Sequence, residues 1–283
     1  MKLKVGIIGT GNIGTDLLIK CSKSNFADPV VFVGRRSTSD GISIANKIGI
    51  NTSIEGLNFF INNPNYCDVI FDCTDAFSAI KNYEVFKNQH IKVVDLTPAK
   101  IGELCVPLIN DDLILSNNNI NMITCGGQAS IPILHLIAQH CNELEYVEIV
   151  SQIASKSAGL ATRINIDEYI HTTEKAIKQF TNAKTCKVII NLNPAEPCVD
   201  MQTTMFLKYK DIYMADFLNK LDTKIKSINT YVPHYELTSL PSINDDILIL
   251  SIKVKGSGDY LPSYAGNLDI INCAALKIIE KLK

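Results

Sequence analysis

The chain has 283 residues, 46% of them hydrophobic and 20% charged, with a formal net charge of -2. That length suits two domains better than one core, and the near-neutral balance excludes the basic footprint of a nucleic-acid binder or of a protein held on an anionic membrane. No run reaches the apolar length of a membrane span, and the opening MKLKVGIIGTG breaks at glycines too early for a signal peptide, so a soluble cytoplasmic protein is expected.

In chain order, Leu3 to Gly9 reads as a strand, Ile13 to Ser24 as a helix, Val30 to Gly34 as a strand and Gly41 to Ile48 as a helix. Cys67 to Cys73 reads as a strand, Phe77 to Lys87 as a helix, and Lys92 to Leu96 and Asn121 to Cys125 as strands. Strands apolar throughout and separated by helices predict a parallel sheet covered on both faces, a Rossmann-type doubly wound domain over residues 1–125. After a helix from Ala129 to Cys141 the texture changes. Tyr146 to Ala154, Lys187 to Leu192, Thr203 to Tyr209, Thr230 to Leu237 and Ile247 to Val254 read as strands, with helices from Ile166 to Thr181 and Tyr213 to Ile225. Ser251, Lys253 and Lys255 alternate with Ile252 and Val254, as in a sheet with one solvated face. The fold class expected is therefore α/β, with a second α+β catalytic and oligomerisation domain of mainly antiparallel sheet over 126–264. A last helix in 265–283 is expected to return to the first domain.

Gly9-Thr10-Gly11-Asn12-Ile13-Gly14 follows the first strand and opens the first helix. Glycines there allow a tight turn and close approach to a pyrophosphate, while the helix end supplies N–H groups and positive potential. The carboxylate that would hold a ribose 2'-hydroxyl after the second strand is absent; Gly34-Arg35-Arg36-Ser37-Thr38 stands there. Guanidinium groups suit a 2'-phosphate, so the cofactor expected is NAD(P) with a preference for NADP(H), the alternative being a solvated loop.

Cys125, read at the carboxyl end of a strand and ahead of a helix, is placed where a nucleophile would face a crevice. The helix N-terminus would stabilise its thiolate, and the Gly126 and Gly127 N–H groups would hold an oxyanion. Taken locally, the pattern fits an inert buried cysteine equally well. The nine cysteines form an odd set without a C-x-x-C pair, which argues against a disulfide framework and a zinc site. His135 and His140 are five apart and share no helix face, and His90, His171 and His234 lie in unrelated segments as core or surface residues, so no metal is expected.

Six ordered blocks, VGIIGTGNIGTDL, VDLTPAKIGELCVPLIN, NMITCGGQASIPI, SKSAGLATRINIDEY, INLNPAEP and GDYLPSYAGNLDI, resemble the acylating acetaldehyde dehydrogenases that accompany 4-hydroxy-2-oxovalerate aldolases in aromatic degradation. The resemblance covers nearly the whole chain. It implies a reversible reaction of a short aldehyde, coenzyme A and NAD(P)+ through a thiohemiacetal and a thioester on Cys125. It also implies cofactor contacts from Ser157, Ala158, Gly159 and Asn267, a homodimer or higher assembly, and an aldolase partner. The chain departs from that family at Arg36 and Thr203, each standing where the family carries an aspartate. Asp200 is the nearest carboxylate to the second position, and a surface role suits it. A semialdehyde or acyl-phosphate reductase, and a non-catalytic aldolase-associated subunit, stay open as competing readings.

Overall fold

The computed structural model describes residues 1–89 and 91–283, and His90 lies outside them. Two compact units divide the chain: Met1–Ile123 with Gly159–Glu168 and Ile271–Lys283, and Thr124–Ala158 with Tyr169–Ile270.

The first unit alternates strands and helices: β1 (Leu3–Ile8), α1 (Asn12–Lys23), β2 (Ala27–Val33), α2 (Asp40–Lys47), β3 (Thr52–Ser53), α3 (Leu57–Asn62), β4 (Val69–Asp72) and α4 (Ala76–Phe86). It continues with β5 (Lys92–Asp95), β6 (Glu103–Leu104), α5 (Leu113–Ser116) and β7 (Asn119–Asn121). The strands form one seven-stranded sheet in the order β3-β2-β1-β4-β5-β7-β6, every pairing parallel. Val5, Ile7, Phe32, Val33, Ile70, Phe71 and Val94 are buried, as expected of strands covered on both faces. The order reverses beside β1, so the turn after β1 lies at the switch point where such sheets bind ligands.

The strand expected to reach Cys125 ends at Asn121, and the helix expected from Ala129 begins at Cys125 as α6 (Cys125–Ala138). The cause is local. Ile123 turns the chain at φ 66, and the Thr124 side chain accepts a hydrogen bond from the Gly127 N–H, capping the helix four residues earlier than the glycines suggest.

Then come β8 (Cys141–Ala154), α7 (Leu160–Ile164), α8 (Ile166–Thr181), β9 (Thr185–Asn193), β10 (Met201–Ile212), α9 (Met214–Asn229), β11 (Tyr235–Leu237), β12 (Ser242–Asn244), β13 (Ile247–Val254) and α10 (Gly266–Ile279). The second sheet runs β11-β13-β10-β8-β9, with β12 also on β13. Its pairings are antiparallel except β8 with β9. Along β10, Met201, Thr203, Met205 and Leu207 are buried while the residues between them are partly exposed, and α6 packs against β8 and β10. The strand expected over Thr230–Leu237 is confined to Tyr235–Leu237. Helix α9 continues to Asn229, whose amide bonds both the N–H and the carbonyl of Tyr235, so the intervening residues form turns.

Candidate active site

In the first unit, Gly9 has φ +107, and a Cβ there would overlap the Cys73 carbonyl at the end of β4. Only glycine lets the turn lie this close to the neighbouring strand. Gly11 is the N-cap of α1, makes no side-chain cap, and has nothing within 4 Å of the position a Cβ would take. The first turn of α1 thus presents backbone and helix potential with no side chain filling the approach, which fits a dinucleotide pyrophosphate. The Thr10 carbonyl accepts the Ser39 hydroxyl at 3.0 Å, fastening the loop after β2 to the glycine loop. On that loop the Arg35 guanidinium lies 3.9 Å from Asp75 with its side chain 76% exposed, and Arg36 is exposed. Asn12 packs beside Gly159, and the Ile13 carbonyl accepts the Asn272 amide at 3.1 Å.

The second unit opens on the cysteine. Cys125 is the first residue of α6 and is partly exposed; its sulfur lies 3.8 Å from the Tyr169 hydroxyl on α8. Burial pushes its thiol up to about 11, against the lowering effects of Tyr169 and of the Gly126 N–H. Desolvation is the largest influence on it, ahead of those hydrogen bonds, and favours the protonated thiol. The two N–H groups expected to hold an oxyanion are already engaged. Gly126 N–H donates to the Tyr169 hydroxyl at 3.0 Å and Gly127 N–H to the Thr124 hydroxyl at 2.9 Å. Gly126 serves another purpose: a Cβ there would overlap the Tyr169 hydroxyl and lie 2.6 Å from the Ser151 oxygen.

Thr203 is fully buried, its hydroxyl 3.0 Å from that of Ser151. The Ser151 oxygen and the Tyr169 hydroxyl both lie against Gly126, where its Cβ would stand, so the position where the resemblance places an aspartate lies close to the hydroxyl that meets the thiol. Asp200 lies just ahead of β10. Ser157 donates to the Ala154 carbonyl at 2.9 Å, holding the turn after β8, and Ala158 is buried beside it. Asn267, in the first turn of α10, is 6% exposed, and its side-chain carbonyl oxygen is buried without a hydrogen-bond partner among the described residues. Sequence reasoning missed Tyr169, Ser151 and Thr173; the available signal was buried hydroxyls, four apart at Tyr169 and Thr173, on the covered face of an amphipathic helix. Among the described residues no group of three or more His, Cys, Asp or Glu is placed to hold a metal ion.

A family model described as semialdehyde dehydrogenase, NAD binding domain, matches residues 4–115, and one described as prokaryotic acetaldehyde dehydrogenase, dimerisation, matches residues 125–262. The fold is shared with aspartate semialdehyde dehydrogenase II from Vibrio cholerae, at a TM-score of 0.66 and 12% identity over 100% of this chain and 98% of that one. A parallel sheet matched by an NAD-binding family model, followed by a unit with a mainly antiparallel sheet, gives the chain the fold of the semialdehyde dehydrogenases. The acetaldehyde dehydrogenase of Pectobacterium atrosepticum is 47% identical over 99% of this chain and 96% of its own, and that of Spirochaeta aurantia 46% over 99% and 94%. The chain belongs to the acetaldehyde dehydrogenase family.

Proposed function

We propose that the protein is a CoA-acylating dehydrogenase of acetaldehyde or another short aldehyde, using Cys125 as nucleophile and running reversibly. The observation that carries this reading is the setting of Cys125: partly exposed at the head of α6, with a hydrogen-bonding hydroxyl at its sulfur. Its thiolate adds to the aldehyde carbonyl, giving a thiohemiacetal. Bound NAD(P)+ supplies the hydride acceptor. With hydride and the hydroxyl proton gone, a thioester remains on Cys125, and the coenzyme A thiolate displaces the acyl group from it. Gly9, Thr10, Gly11, Asn12, Ile13 and Gly14 would hold the pyrophosphate, with Gly159 beside Asn12. The unpartnered carbonyl oxygen of Asn267 supports a place for it in binding an amide or hydroxyl donor of the cofactor. Ser157 and Ala158 would shape that site through their backbone.

The cofactor preference we propose is NADP(H). The loop after β2 offers Arg35 and Arg36 and no carboxylate of its own, and the partial attraction of Arg35 to Asp75 leaves Arg36 as the main partner for a 2'-phosphate. The dimerisation model matched over residues 125–262 supports a homodimer or higher assembly. A cytoplasmic location and an aldolase partner that hands over a reactive aldehyde belong to the same proposal.

The test follows NADPH and NADH consumption with acetyl-CoA and propanoyl-CoA for the unmodified protein, Cys125→Ala and Arg36→Asp. Turnover should fall to background in the first variant, and the second should move the preference from NADPH towards NADH by tenfold or more, about 1.4 kcal/mol. Turnover retained without Cys125 would sink the thiol mechanism. In the oxidative direction, phosphate replacing coenzyme A would identify an acyl-phosphate enzyme instead.

A further inference from the structure

A thiol this reluctant to ionise needs help, and the hydroxyls around it can be assigned from their hydrogen bonds. Thr173 donates its only hydroxyl proton to the Tyr169 carbonyl at 2.7 Å. In the 2.7 Å contact between the Thr124 and Thr173 hydroxyls, Thr124 is therefore the donor, and its proton is spent there. The Tyr169 hydroxyl accepts the Gly126 N–H at 3.0 Å and meets the Cys125 sulfur at 3.8 Å, with the Ser151 and Thr124 hydroxyls as its other neighbours. Ser151 meets Thr203, whose side chain is fully buried. One chain results: Thr203, Ser151, Tyr169, Cys125.

The hydroxyls of this chain can point in either direction. With a thiol, S–H donates to Tyr169, Tyr169 to Ser151, and Ser151 to Thr203. With a thiolate each hydroxyl rotates, so that Thr203 donates to Ser151, Ser151 to Tyr169, and Tyr169 to sulfur. Tyr169 then receives two donors, from Ser151 and from the Gly126 N–H, which polarise the O–H it offers. Thr203 is no base, so the chain has nowhere to deposit a proton. It can only stabilise the charge.

We propose that Tyr169 is a catalytic residue whose hydroxyl donates to the Cys125 thiolate, oriented by the buried Ser151–Thr203 pair, while the thiol proton leaves for water. The S–H bond breaks with its electron pair kept on sulfur, so no further reactant is required. This rests on Cys125 being the nucleophile. Among the described titratable side chains, Tyr169 is the one whose polar atom meets the Cys125 sulfur. Glu143, Glu148, Asp216 and Lys253, on the elements packed against α6, are engaged in ion pairs of their own.

The test is the pH dependence of Cys125 alkylation by iodoacetamide in nucleotide-free protein, read on the Cys125 peptide by mass spectrometry, for the unmodified chain, Tyr169→Phe and Ser151→Ala. Tyr169→Phe should raise the midpoint by about one pH unit, a roughly tenfold slower reaction at pH 8. Ser151→Ala should move it the same way by less, and Cys198, outside the chain of hydroxyls, should be unaffected. Circular dichroism verifies folding; should Tyr169→Phe not fold, Ser151→Ala decides by the direction of its shift. An unchanged midpoint in folded variants overturns the role of Tyr169. The assay needs no turnover, so it is separable from the nucleophile reading: turnover independent of Cys125 sinks that reading, whereas an unchanged midpoint with Cys125-dependent turnover sinks the tyrosine alone.

Discussion

Ser151 on β8 and Thr203 on β10 are cross-strand partners, both fully buried, with hydroxyl oxygens 3.0 Å apart. A carboxylate at 203 would lose its hydration there, and burial raises the pKa of such a group in the folded state. Its charge therefore costs nothing at pH below the unfolded value, and stability is lost as pH rises through the folded one. Thr203→Asp should be destabilising by about 2 to 4 kcal/mol at pH 8 and by less at pH 5. Urea unfolding at both values checks this; equal losses would assign the cost to shape alone.

Gly126 admits the Tyr169 hydroxyl, so Gly126→Ala must push it aside. A loss of about 1 to 3 kcal/mol is expected, with slower alkylation of Cys125. Made in a Tyr169→Phe background, the same substitution should cost less, because the displaced oxygen is already gone. A double-mutant cycle in denaturant gives the coupling, and strict additivity would contradict this account of the glycine.

Asp72 and Asp95 are register partners on neighbouring parallel strands, both buried. Burial first, and the charge of Asp72 second, push Asp95 up to about 8. The folded form thus holds a proton that the unfolded chain releases near pH 4, and stability is expected to decline as pH rises towards 8, by up to about 1.4 kcal/mol per pH unit. Asp95→Asn should flatten that slope. It should also cost about 1 kcal/mol at pH 5, since the amide must face one of the donors Thr97 N–H and Asn121 Nδ2 with its own N–H. Melting temperatures from pH 5 to 9 test both parts.

Asn267 buries a carbonyl oxygen with no partner among the described residues, so Asn267→Ala removes no hydrogen bond to that oxygen seen in the ligand-free protein. Stability should change by no more than about 1 kcal/mol while turnover drops tenfold or more. A strongly destabilised but fully active variant would make Asn267 a structural residue.

The long elements were legible in the sequence because their periods had room to repeat: α8 and β13 carry the bounds their patterns predict, Ile166–Thr181 and Ile247–Val254. The two-residue strands β3 and β6, and the short helices α5 and α7, fall below any period and went unread. The glycine loop was visible because its work is done by consecutive residues. The thiol's surroundings were not, because Tyr169 is 44 residues from Cys125 and meets it only through folding. For the same reason Gly126 reads locally as an oxyanion donor, although its N–H already holds the tyrosine.

Asn272 donates to the Ile13 carbonyl and to the Asp16 carboxylate, and Lys281 pairs with Asp112. Asn272 stands 259 positions from Ile13 and 256 from Asp16, so the first unit is closed by residues far along the chain. Its parallel sheet can assemble during synthesis, but the helix that follows the glycine loop waits for this partner until the whole second unit has been made. High sequence separation of this kind slows folding and exposes a nascent apolar face in the interval, so expression should depend on chaperone supply more steeply than for a domain encoded in one continuous stretch.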